Sequence, residues 1–265
     1  MEKRSGKLIV FILLGIVPLV ALLMSGCASP EIKEGKELYH HYCTPCHGSK
    51  GRGDGFNAEF VKPAPTDHTD SEYMGKRSNK KLFKVISKGG RGAARAATMP
   101  AYGNVLSEKE IWEILAYIRT LHSSSQPKIE IKEDMDDKRP KHPVITRVNL
   151  SLPEGKTEAA MIKKGKKLFR RNGCKGCHRI GEKGGRIGPE LSRIGKRLNA
   201  DFIYKWVKNP QYYKKETIMP SFWHLKDNDV KAIVYFLKSQ NAPATAGSRG
   251  DPFYMTDVPD QPVYD

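Results

Sequence analysis

The sequence predicts two small helical domains in tandem, and two observations lead to this fold class. A short motif of cysteine and histidine occurs at residues 43–47 and again at residues 174–178. Each copy lies between two segments with the periodicity of an amphipathic helix, so the order of features in the first half is repeated in the second. A chain of 265 residues is long enough for two domains of roughly 90 residues each once its terminal segments are set aside.

Residues 1–26 have the pattern of an export signal or a membrane anchor. Three basic residues precede a 17-residue apolar run from Leu8 to Met24, and Ser25-Gly26-Cys27 follows. The pattern resembles a bacterial lipoprotein signal, in which Cys27 would become the acylated first residue of the mature chain. An uncleaved helix is the alternative, because about 20 apolar residues span a bilayer and roughly 17 is the lower limit. Both alternatives place the protein on the periplasmic face of a bacterial membrane, exported and anchored.

Four of the five cysteines form two copies of the motif Cys-x-x-Cys-His. This motif is the attachment signature of c-type haem. Its two cysteines can reach the two vinyl groups of one porphyrin, and the histidine that follows can bind the iron. The sequence therefore predicts two covalently bound haem c groups, one held by Cys43, Cys46 and His47 and the other by Cys174, Cys177 and His178.

Two other uses of paired cysteines fit the sequence less well. A zinc site would bring two Cys-x-x-Cys pairs together in one fold, whereas these pairs are about 130 residues apart. A thioredoxin-like redox pair needs a βαβ context, which the helical periodicity does not provide. The fifth cysteine is Cys27, so lipidation there would account for the whole set.

A predicted helix precedes each motif. Gly35 and Gly165 lie eight and nine residues before the first cysteine of their motifs, and Tyr39 and Phe169 follow four residues after them. Residues at positions i and i+4 share one face of a helix. A glycine on that face lets a second helix cross closely, so we expect a partner helix in each half.

The partner helix is predicted at the end of each half. In the first half Ser107 and Glu110 have the spacing of a capping box, and in the second half Asp227 stands at the start of the periodic segment. The apolar positions that recur with helical period are Ile111, Ile114, Leu115, Ile118 and Leu121 in the first segment, and Val230, Ile233, Val234 and Leu237 in the second.

A methionine followed by a proline precedes each of these last helices. Met99 and Met219 lie 52 and 41 residues after His47 and His178, respectively. A thioether is an established second ligand of haem iron, so we expect His47 and Met99 to hold one iron and His178 and Met219 the other. The competing methionine in the first half is Met74, which no proline follows, and His68 and His122 are weaker competitors.

The remaining ring nitrogen of an iron-binding histidine needs a hydrogen-bond acceptor, usually a carbonyl. Pro189 lies eleven residues after His178 in the segment Gly-Pro-x-Leu, and its carbonyl is the candidate in the second half. In the first half the candidate is the carbonyl of Pro63 or of Pro65.

Both halves resemble class I cytochrome c domains, over about 180 of the 265 residues. The resemblance rests on the first helix, Cys-x-x-Cys-His, Met-Pro and the final helix, with Gly-Pro-x-Leu in the second half only. It implies an all-α fold of three to five helices around each haem, at residues 31–126 and 158–240, and a role in one-electron transfer. The first half, with Gly-x-Gly-Asp-Gly and Pro-Ala-Pro-Thr-Asp, is similar to bacterial domains found as subunits of respiratory complexes.

Residues 127–157 have the composition of a linker, and residues 241–265 that of a flexible, proline-rich, acidic tail. The formal charge of +17 is concentrated between them, because residues 158–240 carry 20 Lys and Arg against seven Asp and Glu. A basic domain in an exported protein indicates an acidic protein partner or anionic lipid rather than nucleic acid.

These features favour electron transfer over catalysis. An iron held by both histidine and methionine has no open position for a substrate. We therefore expect an electron carrier, or an electron-transfer subunit or partner of a respiratory complex, and not an enzyme in its own right. The alternative is a dihaem redox enzyme of the peroxidase or sulfur-compound dehydrogenase type, which would need one haem that opens or has a different ligand.

Overall fold

A computed structural model describes residues 29–93, 98–123 and 129–242. The signal or anchor predicted at residues 1–26, the acylation site predicted at Cys27 and the part of the predicted tail beyond residue 242 lie outside the described residues. Within the described ranges, no helix combines the length and the apolar composition needed to cross a bilayer.

The first half of the chain folds as short helices joined by irregular loops. In chain order these are α1 (Pro30–Tyr42), α2 (Thr44–His47), a 3-10 turn (Ala58–Phe60), α3 (Ser71–Gly75), α4 (Asn79–Gly92) and α5 (Glu108–Thr120). The capping box predicted at the start of α5 is confirmed, since Ser107 N–H donates to Glu110 Oε2 over 2.8 Å and Glu110 N–H donates to Ser107 Oγ over 3.1 Å.

The second half likewise runs from a long first helix through a short motif helix to a long last helix, with a hairpin added after the motif. Its elements are α6 (Glu158–Arg171), α7 (Cys174–Cys177), β1 (Arg179–Ile180), β2 (Lys183–Gly184), α8 (Ile194–Arg197), α9 (Ala200–Lys208), α10 (Pro210–Tyr213) and α11 (Asp227–Lys238). The addition is a two-residue antiparallel hairpin that pairs Arg179 with Gly184. The helical class predicted from the sequence is therefore correct, and the small hairpin is the departure from it.

In each half the first helix crosses the last one at a glycine. A Cβ atom built on Gly35 would overlap the carbonyl of Glu113 on α5, and one built on Gly165 would overlap the carbonyl of Ala232 on α11. The two backbones are therefore in direct contact, which no larger residue would permit. The close crossing expected from the glycine spacing is confirmed in both halves.

Each half has its own apolar core beneath this crossing. In the first, Tyr39, Ile114 and Leu115 are fully buried. In the second, Val230 and Ile233 are buried to the same degree. These are the periodic and aromatic positions that the sequence assigned to the core, so the two helix pairs act as the frame on which the motif loops are carried.

The described part of the linker is bound to both halves along its length. Arg139 forms an ion pair with Glu110 on α5, with Nη2 and Oε1 2.7 Å apart. His142 stacks on Trp223 of the second half with ring centroids 4.9 Å apart, and its Nε2 donates to the carbonyl of Asn104 of the first half over 3.1 Å. Three apolar side chains then pack on the second core: Ile145, Val148 and Leu150.

Candidate functional site

The two cysteine motifs face one continuous cavity of about 880 Å³. This volume lies toward the upper end of the roughly 300–1,000 Å³ typical of small-molecule sites. The cavity lies between the two halves and is lined by apolar side chains from both. The residues predicted to hold haem that line it are Cys43, Cys46, His47, Met99, Cys174, Cys177, His178 and Met219.

The first motif is held by a turn of helix and the glycine-rich loop that follows it. Gly53 N–H donates to the carbonyl of His47 over 2.9 Å, and Gly55 N–H donates to that of Cys46 over 3.1 Å. The imidazole of His47 has its Nδ1 3.0 Å from the carbonyl oxygen of Thr66. Because a carbonyl only accepts, this contact places the proton on Nδ1 and leaves the Nε2 lone pair available for iron.

The assignment of this carbonyl to Pro63 or Pro65 is therefore wrong. Both prolines line the cavity, but it is the carbonyl of Thr66 that meets the histidine. The carbonyl of Pro65 faces the glycine-rich loop instead, only 2.6 Å from where a Cβ on Gly53 would stand. The direction of a carbonyl in such a loop depends on the backbone angles of each residue, which residue identity alone did not reveal.

In the second motif the predicted carbonyl does meet the histidine. Nδ1 of His178 lies 2.9 Å from the carbonyl oxygen of Pro189. The neighbouring Gly188 packs on the face of the same imidazole, since a Cβ there would come within 2.7 Å of Nδ1 and 2.9 Å of Nε2. The segment therefore fixes both the proton and the orientation of the ring.

Burial sets the protonation of the motif side chains. It lowers the pKa of His47 and of His178, and the carbonyl that each ring meets opposes this only partly. Burial also raises the pKa of the Cys174 thiol and of the Cys177 thiol to about 12. At neutral pH both imidazoles are therefore neutral, which is the protonation state in which a histidine can bind a metal, and both thiols are protonated.

The two Met-Pro loops reach the cavity in different surroundings. Met219 accepts a hydrogen bond on its sulfur from Nε1 of Trp206, which lies on α9, over 3.2 Å. Met99 is held through its backbone, because Gly90 N–H donates to its carbonyl over 3.0 Å. The Trp206 contact could not be predicted from the sequence, since the two residues are 13 positions apart on different elements.

The structure also separates the competitors for the second ligand in the first half. His68 is stacked on His47, with ring centroids 4.3 Å apart and an angle of 14° between the planes. Because the His68 ring packs against the His47 ring itself, we do not expect His68 to supply the second ligand of an iron that His47 would bind. His122 is not among the described residues that line the cavity, whereas Met74 is, at 1% exposure.

The described residues contain no group of three or more His, Cys, Asp or Glu side chains arranged to hold a metal ion directly. The donors instead come as pairs of cysteine with one histidine, beside an apolar cavity. That donor set fits a macrocycle that supplies four of the iron ligands itself, and not a bare ion.

Comparison with known proteins found one family match in each half. Residues 30–118 match the family described as cytochrome c oxidase, cbb3-type, subunit III, and residues 162–241 match the family described as cytochrome c. A cytochrome c oxidase subunit 2 from Alkalihalophilus pseudofirmus is 28% identical over 87 residues, which is 30% of this chain and 25% of that protein. The chain thus matches only a quarter of this relative.

A solved structure was also aligned with the chain. It is the Kuenenia stuttgartiensis reducing HAO-like protein complex, with 22% sequence identity and a TM-score of 0.28, covering 79% of this chain and 96% of that one.

Proposed function

Because both halves of this chain are cytochrome c-type domains, we propose that it transfers electrons one at a time through two covalently bound haem c groups. The observation that carries the proposal is that both motifs and both Met-Pro loops line the same cavity. When bound, each haem would supply a one-electron couple between ferrous and ferric iron. The protein supplies attachment, ligands and an apolar environment.

The residues have distinct roles in this proposal. Cys43 and Cys46 attach the first group, and Cys174 and Cys177 attach the second. His47 and His178 offer Nε2 to the two irons, oriented by the carbonyls of Thr66 and Pro189. Met99 and Met219 close the remaining positions. An iron that both a histidine and a methionine would hold has no open position for a substrate, which supports a carrier rather than an enzyme.

We further propose that the chain works at a respiratory membrane, exported and anchored on the periplasmic side. Support comes from the signal-like residues 1–26 with Cys27, and from the match of residues 30–118 to an oxidase subunit family. In this setting the protein would be a subunit or direct partner of a respiratory complex.

A basic surface supports docking on an acidic redox partner. Helix α6 carries exposed cations that continue to the start of the second motif, close to where the second haem would be attached. Charges arranged in this way steer an acidic protein by long-range attraction, which salt screens over about 8–10 Å. The exposed basic side chains are Lys163, Lys166, Lys167, Arg170, Arg171 and Lys175.

A redox titration of the purified protein tests the central proposal. We expect covalent haem corresponding to two groups per chain, two one-electron transitions, and no binding of carbon monoxide to the fully reduced protein at neutral pH. A single haem, or carbon monoxide binding at one of two haems, would contradict the carrier proposal and favour the enzyme alternative.

A kinetic experiment tests the partner. We expect reduction of an acidic redox protein to slow as salt rises, and the double variant K166E/K167E to slow it at low salt. A rate independent of both salt and these charges would exclude the basic surface as the docking site.

A further inference from the structure

Asn57 is a polar residue with no exposed surface, at the point where the two halves meet. It follows the glycine-rich loop of the first half and lies against the second cysteine motif and the loop after the hairpin of the second half. A buried amide in a contact between domains is costly unless its donors and acceptor are all used. Its partners therefore indicate what it does.

The side chain uses every part of its amide. Nδ2 donates to the carbonyl of Gly176 over 2.7 Å and contacts Cys46 Sγ at 3.4 Å. Oδ1 accepts from Arg186 N–H over 2.8 Å. Cys46 is a haem-attaching cysteine of the first motif, and Gly176 is the residue before Cys177 in the second. One side chain thus touches both motifs.

The backbone on each side is bound to its own motif. Asn57 N–H donates to the carbonyl of Pro45 within the first motif over 2.9 Å, and Gly185 N–H donates to that of Lys175 within the second over 3.0 Å. A Cβ on Gly185 would overlap the Gly176 carbonyl and come within 2.6 Å of Asn57 Oδ1. The contact leaves no space for a side chain at Gly185, so the two motifs are tightly packed at this point.

We infer that Asn57 fixes the two haem-attachment motifs against each other and so sets the rate of electron exchange between the two haems. This inference rests on the proposed function, since it presupposes two haems. Cys46 Sγ, the Asn57 amide and the Gly176 carbonyl form a connected path that ends one residue from Cys177. The exchange moves one electron from a ferrous iron to a ferric iron, breaks no bond and transfers no proton, so position is what the protein controls.

Substitution of Asn57 in the complete holoprotein tests this. Asn57→Leu keeps the branched shape of the side chain but removes all three contacts, and Asn57→Asp keeps the acceptor for Arg186 N–H while losing both Nδ2 contacts. The matched control is Asn104→Leu, because Asn104 Nδ2 also contacts the other half, at His224 Nδ1 over 2.9 Å, away from both motifs.

Two quantities are measured: the rate of electron transfer between the haems after photochemical reduction of one of them, and the haem–haem exciton signal in circular dichroism. Leaving the Gly176 carbonyl unpaired should slow exchange about tenfold in both Asn57 variants and alter the exciton signal. The Asn104 variant should keep both wild-type values.

The outcomes separate this inference from the proposed function. If wild-type protein has fewer than two haems or no exchange between them, the proposed function fails. If Asn57→Leu and Asn57→Asp keep two haems and the wild-type rate and signal, the role of Asn57 is overturned. Should neither variant fold, the side-chain amide of Asn57 in reduced wild-type protein decides by NMR: rapid hydrogen exchange would overturn the inference, and slow exchange supports it.

Discussion

Trp206 Nε1–H points at the sulfur of Met219 over 3.2 Å. A thioether sulfur has two lone pairs, so it can bind iron with one and accept a weak hydrogen bond with the other. Donation to the sulfur withdraws electron density, which disfavours ferric iron more than ferrous iron. Trp206→Phe should therefore lower the midpoint potential of the second haem, by up to ~40 mV if the bond contributes ~1 kcal/mol. A spectroscopic redox titration measures the shift.

The control for this variant is in the other half. Trp112 stacks on Phe83 with ring centroids 4.7 Å apart, on helix α5. Trp112→Phe makes the same chemical change without touching Met219, so it should leave the midpoint potential of the second haem unchanged. Equal shifts of that potential in both variants would show that the shift does not come from the N–H of Trp206.

Met99 and Met74 both line the cavity in the first half, and they differ in what their loss would do. Met99→Leu should remove the second ligand of the first iron, so that one of the two reduced haems binds carbon monoxide. Met74→Leu conserves volume in the core, so it should lower the free energy of unfolding by less than about 1.5 kcal/mol. The reduced Met74 variant should bind no carbon monoxide. The visible spectrum under carbon monoxide compares them; binding in the Met74 variant alone would transfer the ligand role to Met74.

The close crossing of the first and last helices contributes to the stability of each half. Gly35 contacts the backbone of Glu113, so a methyl group at this position forces α1 and α5 apart. Gly35→Ala should destabilise the first half by about 1–3 kcal/mol, lowering its melting temperature by at least about 4 °C. Gly75→Ala is the control, because a Cβ there meets nothing within 4 Å. Similar melting temperatures for the two variants would disprove the close crossing.

Glu113 makes the same crossing dependent on pH. Its side chain is 6% exposed, and burial raises the pKa of its carboxyl despite Lys109, whose Nζ lies 3.9 Å from Oε1. Well below the usual pKa of 4.5, the carboxyl is neutral in both the folded and the unfolded state, so its burial as a charge does not lower the free energy of unfolding. As pH rises through the raised folded pKa, ionisation increasingly favours the unfolded chain.

Glu113→Gln should therefore be more stable than wild type at pH 7, with a difference that disappears below about pH 4. Denaturant unfolding of the two proteins at both pH values measures it. A difference that stays constant across this range would mean that the substitution acts through shape and not through charge.

These elements show what could be predicted from the sequence. The paired helices could be predicted, because an apolar period is a local signal that α5 and α11 both carry, and α5 also has a capping box. The carbonyl at His178 was placed correctly through Gly-Pro-x-Leu, whereas the one at His47 belongs to Thr66 in a loop without such a pattern. The two-residue strands after the second motif are too short for any periodicity to indicate.

At the scale of the whole molecule, the linker is bound to both halves and is not a loose connection. His142 contacts Trp223 of one half and Asn104 of the other. Removing its side chain should therefore loosen the linker on both sides of residue 142. His142→Ala should raise the rate of tryptic cleavage at Lys141 and Arg147 about fivefold, as expected for the loss of about 1 kcal/mol of local stability. Mass spectrometry of timed digests measures it.

The control for His142→Ala is His40→Ala, since His40 is an exposed histidine on α1 far from the linker in sequence. This variant should be cleaved at the wild-type rate. A His142 variant that is cleaved no faster than the His40 variant would show that the remaining contacts hold the linker without it.

The association of the two halves could not be predicted from the sequence. Asn57 and Gly176 are 119 positions apart, and neither belongs to a periodic pattern. An asparagine at the end of a glycine-rich loop is ordinary in sequence, because that residue type is favoured in turns. Only the fold shows that its amide joins two haem motifs.

The shared cavity has a consequence for how the protein is made. Its apolar lining comes from both halves, so a chain that has received one haem still leaves lining from the other half uncovered. Exposed apolar surface is what chaperones and proteases bind. We therefore expect half-loaded chains to be removed during maturation, so that the cell accumulates the protein with both haems or not at all.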